Sequence, residues 1–179
     1  FANKFHIPVV STMMGIGVMP NDDDLYMGML GTNGKPHANY AVHECDVLVL
    51  VGARVADRAV VKPYKLERRN TTIVHIDVDP AEIGKNLGTT VPLVGDVYVI
   101  FENLLQYEIP GDYTAWNEEL AEKKAAYVDR RHFNPDFVNP CRFVQTLSSK
   151  MNDDAIYVAD VGQNQLWSAD NYVMKHGRF

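Results

Sequence analysis

The sequence predicts an α/β fold, a parallel sheet with helices on both faces. Three observations carry that prediction. Short apolar runs stand at 47–51 (VLVLV), 72–78 (TIVHIDV) and 91–94 (VPLV), and unbroken rather than alternating apolarity marks strands covered on both sides. Helical patterns alternate with such runs, the order that layers helices on a parallel sheet. Each run also ends on a glycine or an acid, at Gly52, Asp77 and Gly95-Asp96. Those carboxyl ends are where an open parallel sheet binds its ligands.

The elements follow in chain order. "FANKFHIPVV" opens mid-pattern, as the tail of a helix feeding a strand over 7–13; the expectation is a domain whose first strand and most of whose first helix lie upstream. "MGIGVMPNDDDLYMGMLGTNG", 14–34, is too irregular for an element and too apolar for a solvent loop. Asp22, Asp23 and Asp24 lack the glycine and distal glutamate of a calcium loop, so they read as a turn or helix-start cluster. "KPHANYAVHEC" reads as a helix, with Pro36 in its first turn and Ala38, Ala41, Val42 and Cys45 on one face. A helix over 97–107 follows a cap at Asp96, and Pro110-Gly111-Asp112 marks a boundary. The charged stretch 114–130 reads as a linker helix, with Trp116, Leu120 and Tyr127 on one side and a Glu119–Lys123 surface pair. Asn139-Pro140 starts another helix. "AIYVADVGQNQLW" then gives a strand, a glycine and a helix, the opening of a second α/β unit. The expected division is 1–109, a linker at 110–138, and 139–179.

Composition narrows the function classes. The 179 residues are 46% hydrophobic and carry a net charge of −6, which suits a packed domain and leaves no basic footprint for nucleic acid. No apolar run approaches the roughly 20 residues that span a bilayer. Cys45 and Cys141 have no CxxC or ligand spacing, so they read as reduced core residues and point to a cytoplasmic protein. His6, His37, His43, His75, His132 and His176 also lack metal-ligand spacing and read as surface or satisfied core residues, so no metal site is expected within the chain.

The chemistry concentrates at strand ends. In "LVLVGARVADRAV" a buried strand runs into Gly52, and a missing Cβ lets a ligand approach the backbone. If a helical turn begins there, Arg54 and Arg58 share a face, an arrangement that makes sense when anions neutralise them; the alternative is that both are solvated, one paired with Asp57. Asp77 and Asp79 stand where an acid can bind a ribose hydroxyl. "GMLGTNG" supplies glycines ahead of a helix N-terminus, whose amides can face a phosphate or a flavin ring. No GxGxxG is present. The convergence suggests a dinucleotide laid across several strand ends.

The run "IPVVSTMMGIGVMPNDDDLYMGMLGTNGKPHANYAVHECDVLVLVGARVADR", with "VHIDVDPAEIGKN" and "VPLVGD", strongly resembles the central domain of acetolactate (acetohydroxyacid) synthase large subunits, which are thiamine-diphosphate enzymes. "VADVGQNQLWSADNY" is similar to the start of that family's diphosphate-binding domain. The resemblance implies a Rossmann-like (DHS-like FAD/NAD-binding) fold, decarboxylation of pyruvate, and joining of the two-carbon unit to a second 2-keto acid. It also implies bound FAD, largely non-redox, thiamine diphosphate, and Mg2+. The implied partners are 2-keto acid substrates, further copies in a homo-oligomer, and a regulatory small subunit. By motif position, Thr12, Met13, Leu30, Gly31, Thr32, Asn33, Gly52, Arg54, Asp77, Val78 and Asp96 would line the FAD site. Arg58, with Asp57 beside it, would face the second keto acid's carboxylate, and Gly162, Gln163 and Asn164 would approach the thiamine diphosphate phosphates.

The chain departs from the family at Thr32-Asn33 (usually Met-His), at Val55-Ala56-Asp57 (usually Phe-Asp-Asp) and at Asn164 (usually His). The resemblance also implies that the cofactor-activating glutamate and the GDG…N metal motif stand outside these residues, so the 179 residues should not be catalytic alone. Two alternatives stand beside this reading. One is a separate nucleotide-binding α/β oxidoreductase or deacylase; the other is a ligand-free scaffold and interface domain.

Overall fold

The computed structural model describes residues 1–55, 71–88 and 91–179. The described strands form two parallel sheets. Strand β1 (Val9–Ser11) pairs with β2 (Tyr26–Met29), and β3 (Val47–Val51), β4 (Thr72–Asp77) and β5 (Val91–Val94) pair in the order β3-β4-β5. Helix α2 (Pro36–Glu44) returns the chain from β2 to β3, with Pro36 at its start as the sequence suggests. It links the two sheets, and within each sheet every described pair runs parallel. The α/β class and the parallel arrangement therefore stand.

Around the sheets lie α1 (Ala2–Phe5), α3 (Val97–Leu104), α4 (Thr114–Ala125), α5 (Pro140–Ser148) and α6 (Gln163–Asn171). Asp96 caps α3 by accepting from Tyr98 N at 2.8 Å, and Asn139 caps α5 by accepting from Cys141 N and Arg142 N. The cap-then-proline reading at Asn139-Pro140 holds. The charged helix stops at Ala125, so Tyr127 lies beyond it and sets its ring against His37, centroids 5.7 Å apart. The expected Glu119–Lys123 pair forms at 3.7 Å on the surface.

The stretch 14–34 does hold an element, β2, which the expectation of irregularity missed. Val9 faces Tyr26, Val10 faces Gly28 and Ser11 faces Met29, so Met27 is an extra residue bulged out of register. Gly28, at φ 93, makes the bulge possible. A bulge breaks the alternation by which strands are recognised, and it buries neighbouring side chains in different directions. Met27 packs with Ala38, Ala41 and Leu120, whereas Met29 packs with Ile16, Val144, Ala169, Tyr172 and Met174. A third cluster joins Val42, Val55, Ile73 and Leu87, with Val10, Leu30, Leu48 and Leu50 against it. It spans both sheets under α2.

Two strand expectations need correction. The run 155–160 forms no strand among the described residues, only a single parallel bridge from Ile156 to Arg178; Val158 stays 87% exposed because no neighbouring strand pairs with it. The β3 and β5 runs are not covered on both faces either, and in β5 both Val91 and Val94 are exposed. Leu48 and Leu50 turn inward, but Val47, Val49 and Val51 are exposed. No helix among the described residues is long and apolar enough to cross a membrane.

Candidate functional site at the strand ends

Backbone bonds align the carboxyl ends of β3, β4 and β5. Gly52 N donates to Ile76 O at 2.8 Å, and Gly95 N donates to Asp77 O at 3.0 Å, so Gly52, Asp77 and Gly95 stand in a row. On the other sheet Leu30 N donates to Ser11 O at 2.9 Å, which sets Thr12 and Gly31 side by side as their strands end. The expected residues thus gather in two groups at corresponding edges: Thr12, Met13 and Leu30 to Asn33 in one, Gly52, Arg54, Asp77, Val78 and Asp96 in the other.

Each member has a local cause. Gly52 sits at φ 57, and no atom of the described residues lies within 4 Å of where a Cβ would stand. Residues 52–55 form no helical turn; Arg54 is exposed, and its carbonyl accepts from Asn86 Nδ2 at 2.7 Å. Val55 follows at φ 49, buried among Val42, Ile73 and Leu87. A β-branched residue in the left-handed region costs on the order of 1–3 kcal/mol, so packing must hold that turn in place. Asp57 and Arg58 lie outside the described residues. Asp77 is buried, with Oδ1 accepting from Asp79 N at 2.9 Å, while Val78 is exposed. Asp96 is spent partly on capping α3.

The glycine loop between β2 and α2 is fastened by a residue that sequence reading missed. Asn39 accepts from Gly31 N at 2.7 Å and donates to Gly31 O at 2.9 Å, so its side-chain amide serves as a backbone partner. The only signal in the sequence is a polar residue inside the otherwise apolar "ANYAV" run. Gly34 donates to Gly31 O and Lys35 N to Met29 O, and a Cβ on Gly34 would collide with the Met29 carbonyl. These bonds leave Thr32 and Asn33 exposed at the crest. A dinucleotide fits this edge in two respects: the absence of a Cβ at Gly52 admits a close approach, and the loop presents polar groups ahead of a helix N-terminus.

Gly162, Gln163 and Asn164 are exposed at the start of α6, with Gly162 at φ 144 and Asn164 Nδ2 donating to Asp160 O at 3.2 Å. Their helix reaches the glycine loop through charge: Asp170 takes Lys35 at 2.5 Å and Arg131 at 2.6 Å. Arg131 also grips Asp129, holding that carboxyl down at about 2.

The other titratable groups among the described residues are set by burial. Burial pushes the Cys45 thiol up to about 11, which keeps it protonated at neutral pH. Both cysteines are free. His75 is buried, with Nδ1 accepting from Gly84 N at 3.3 Å but Nε2 without a partner; His37 Nδ1 is likewise unpaired. The expectation of satisfied core histidines is therefore too generous for these two, because the apolar packing around them supplies too few acceptors and donors. Among the described residues no three His, Cys, Asp or Glu converge to hold a metal.

Residues 1–104 match the family described as "Thiamine pyrophosphate enzyme, central domain". The chain belongs to that family. It is similar along nearly its whole length to three proteins of larger size. The "Probable acetolactate synthase large subunit" of Methanocaldococcus jannaschii is 39% identical, over 96% of this chain and 30% of that protein. The "Acetolactate synthase large subunit" of Lactococcus lactis is 34% identical, over 99% and 31%. The rice "Acetolactate synthase 1, chloroplastic" is 38% identical, over 99% and 28%. The chain thus spans about a third or less of the length of these relatives. In this thiamine pyrophosphate enzyme domain, the strand-end row and the glycine loop fall inside the matched 1–104, whereas α6 falls outside it.

Proposed function

We propose that the chain supplies the central, FAD-supporting domain of an acetolactate synthase in the cytoplasm, with the start of its thiamine diphosphate-binding domain at 139–179. The observation that carries this reading is the match to proteins named acetolactate synthase over 96–99% of the chain. The reaction would remove CO2 from pyruvate and join the remaining two-carbon unit to a second 2-keto acid, a step in branched-chain amino-acid biosynthesis. Thiamine diphosphate, when bound, supplies the electron sink for that decarboxylation and joining.

The chain's own residues would bind and orient. Gly52 would let the flavin lie against the backbone, Arg54 would neutralise its charge, and Asn39 would hold Gly31 so that Thr32 and Asn33 face it. Asp77, Val78 and Asp96 would complete the lining from the strand ends, with Thr12, Met13 and Leu30 on the far side. Arg58, beside Asp57, would receive the second keto acid's carboxylate through two parallel hydrogen bonds. Gly162, Gln163 and Asn164 would approach the diphosphate. Mg2+ would be held by donors outside the described residues. The working form would be a homo-oligomer served by a regulatory small subunit.

Two measurements test this. The purified 179-residue chain should bind FAD in a fluorescence titration yet form no acetolactate from pyruvate, even with thiamine diphosphate, Mg2+ and FAD supplied. Loss of a charge-assisted contact worth roughly 1.5–3 kcal/mol corresponds to about 10- to 150-fold, so Arg54→Ala should weaken flavin binding within that range. In a complete catalytic polypeptide, Arg58→Ala should spare the flavin and alter product partitioning between two competing keto acids. No flavin binding by the unmodified chain, or turnover above a heat-killed control, would contradict the assignment.

A further inference from the structure

The glycine loop and helix α6 come from distant parts of the sequence, and apolar contacts alone would join them without fixing an angle. Met29 and Ile16 pack on Val144, Ala169, Tyr172 and Met174, a non-directional contact. Asn21 bonds Tyr172 O and Met174 O from the segment before β2; at the loop itself, direction comes from a carboxylate with two cations on it. Lys35, the residue that closes the loop and enters α2, reaches Asp170 Oδ1 at 2.5 Å, with side chains 21% and 8% exposed. Arg131 takes the other oxygen of Asp170 at 2.6 Å and is itself held by Asp129. Two cations and two carboxylates thus form a neutral group. Each Asp170 oxygen has its own partner, which the burial of that carboxylate demands.

The stem of Lys35 is confined as well. It passes over Gly28, where a Cβ would stand 3.2 Å from Lys35 Cγ, and its ammonium lies 5.0 Å from the centre of the Tyr127 ring. Lysine loses much rotamer freedom when it is fixed, and here the bulge glycine and the ring confine it toward Asp170. The arrangement joins three segments at one point: the loop through Lys35, the stretch after α4 through Arg131, and α6 through Asp170.

We propose that Lys35 and Asp170 are positioning residues: their ion pair sets the glycine loop at 31–34 relative to α6, so that flavin affinity at the loop depends on a carboxylate in a helix that need not touch the flavin. The loop's tie to flavin rests on the functional reading above; the mechanical tie between loop and helix does not.

The test uses the 179-residue chain and two readouts. Hydrogen exchange of the amides at 31–35 should speed up about tenfold in both Asp170→Asn and Lys35→Met. FAD titration should show about tenfold weaker binding in each, with the double variant no worse than either single one, as expected for two residues acting as a unit. Lys35→Arg, which keeps the charge, should recover binding to within about threefold. Val144→Ala loosens the same interface through its apolar part, and it should lower the melting temperature while leaving flavin affinity within about twofold. Unchanged exchange at 31–35 in Asp170→Asn and Lys35→Met overturns the proposal, as does a Val144→Ala that weakens flavin as much as Asp170→Asn. An unmodified chain that binds no FAD sinks the functional reading instead, and the exchange data still decide the tie.

Discussion

The two sheets reverse what their sequences suggest. Strand β3, VLVLV, is apolar at every position, yet Val47 is 55% exposed and Val49 and Val51 are 38% exposed. Strand β2, YMGM, is interrupted by a glycine, yet Tyr26, Met27 and Met29 are all nearly inaccessible. The difference lies in neighbours. β2 has α2 and α4 on one side and the α5–α6 pair on the other, and its bulge sends Met27 and Met29 to different clusters. Among the described residues β3 is the outer strand of its sheet and is covered on the side of Leu48 and Leu50 alone. Apolarity of a run states what a strand can bury; the layers around it decide what it does bury.

The strongest way to break this comparison is to truncate the buried strand. Met27→Ala removes a 2%-exposed side chain, and large-to-small core changes cost about 2–5 kcal/mol. The denaturation midpoint should fall accordingly. A loss below about 1 kcal/mol would mean that β2 is no better packed than β3.

Next in size is the clamp on the glycine loop. Asn39→Ala leaves Gly31 N without its partner and Gly31 O with Gly34 N alone, and stranding a buried polar group costs about 1–3 kcal/mol. Stability should drop within that range, and Asn39→Asp should not restore it, because a carboxylate cannot donate to the Gly31 carbonyl. Chemical denaturation of the two variants checks both statements.

A smaller effect is expected with pH. Burial, first, and the nearby Lys35 and Lys124 hold the His37 imidazole below its ordinary range, against a Met27 backbone hydrogen bond that favours the cation. The folded state therefore binds that proton less readily than the unfolded chain, whose His titrates near 6.5. Stability should be full above about pH 6.5 and fall as pH drops below it, through the lowered folded value. His37→Gln should flatten that slope in melting temperature between about pH 7 and 5; an unchanged slope would remove His37 as its source.

The smallest change should come from the exposed strand. Val49→Thr keeps the β-branched shape, and surface substitutions away from special features stay within about 0.5 kcal/mol. A large loss there would show that something covers this face in solution.

Much of the scaffold was legible because its signals are local. The caps at Asp96 and Asn139, the proline that opens α2 and the apolar runs of β3, β4 and β5 each depend on a few adjacent residues, and all formed. The strand ends at Gly52, Asp77 and Gly95 were readable for the same reason. Strand β2 was not, because a bulge removes the period that would reveal it. The 155–160 run misled, because an apolar β-branched segment becomes a strand only when another strand lies beside it.

By itself the sequence determined the α/β class, the parallel strands implied by unbroken apolar runs, and the family to which the chain belongs. These follow from patterns a few residues long and from a motif run covering most of the chain. Only the tertiary structure decided that Asn39 holds Gly31, that Lys35 and Arg131 share Asp170, and that the valines of β3 stand open. Residues eight to 135 positions apart meet in those contacts or fail to be covered, and no local propensity encodes which distant side chain will arrive.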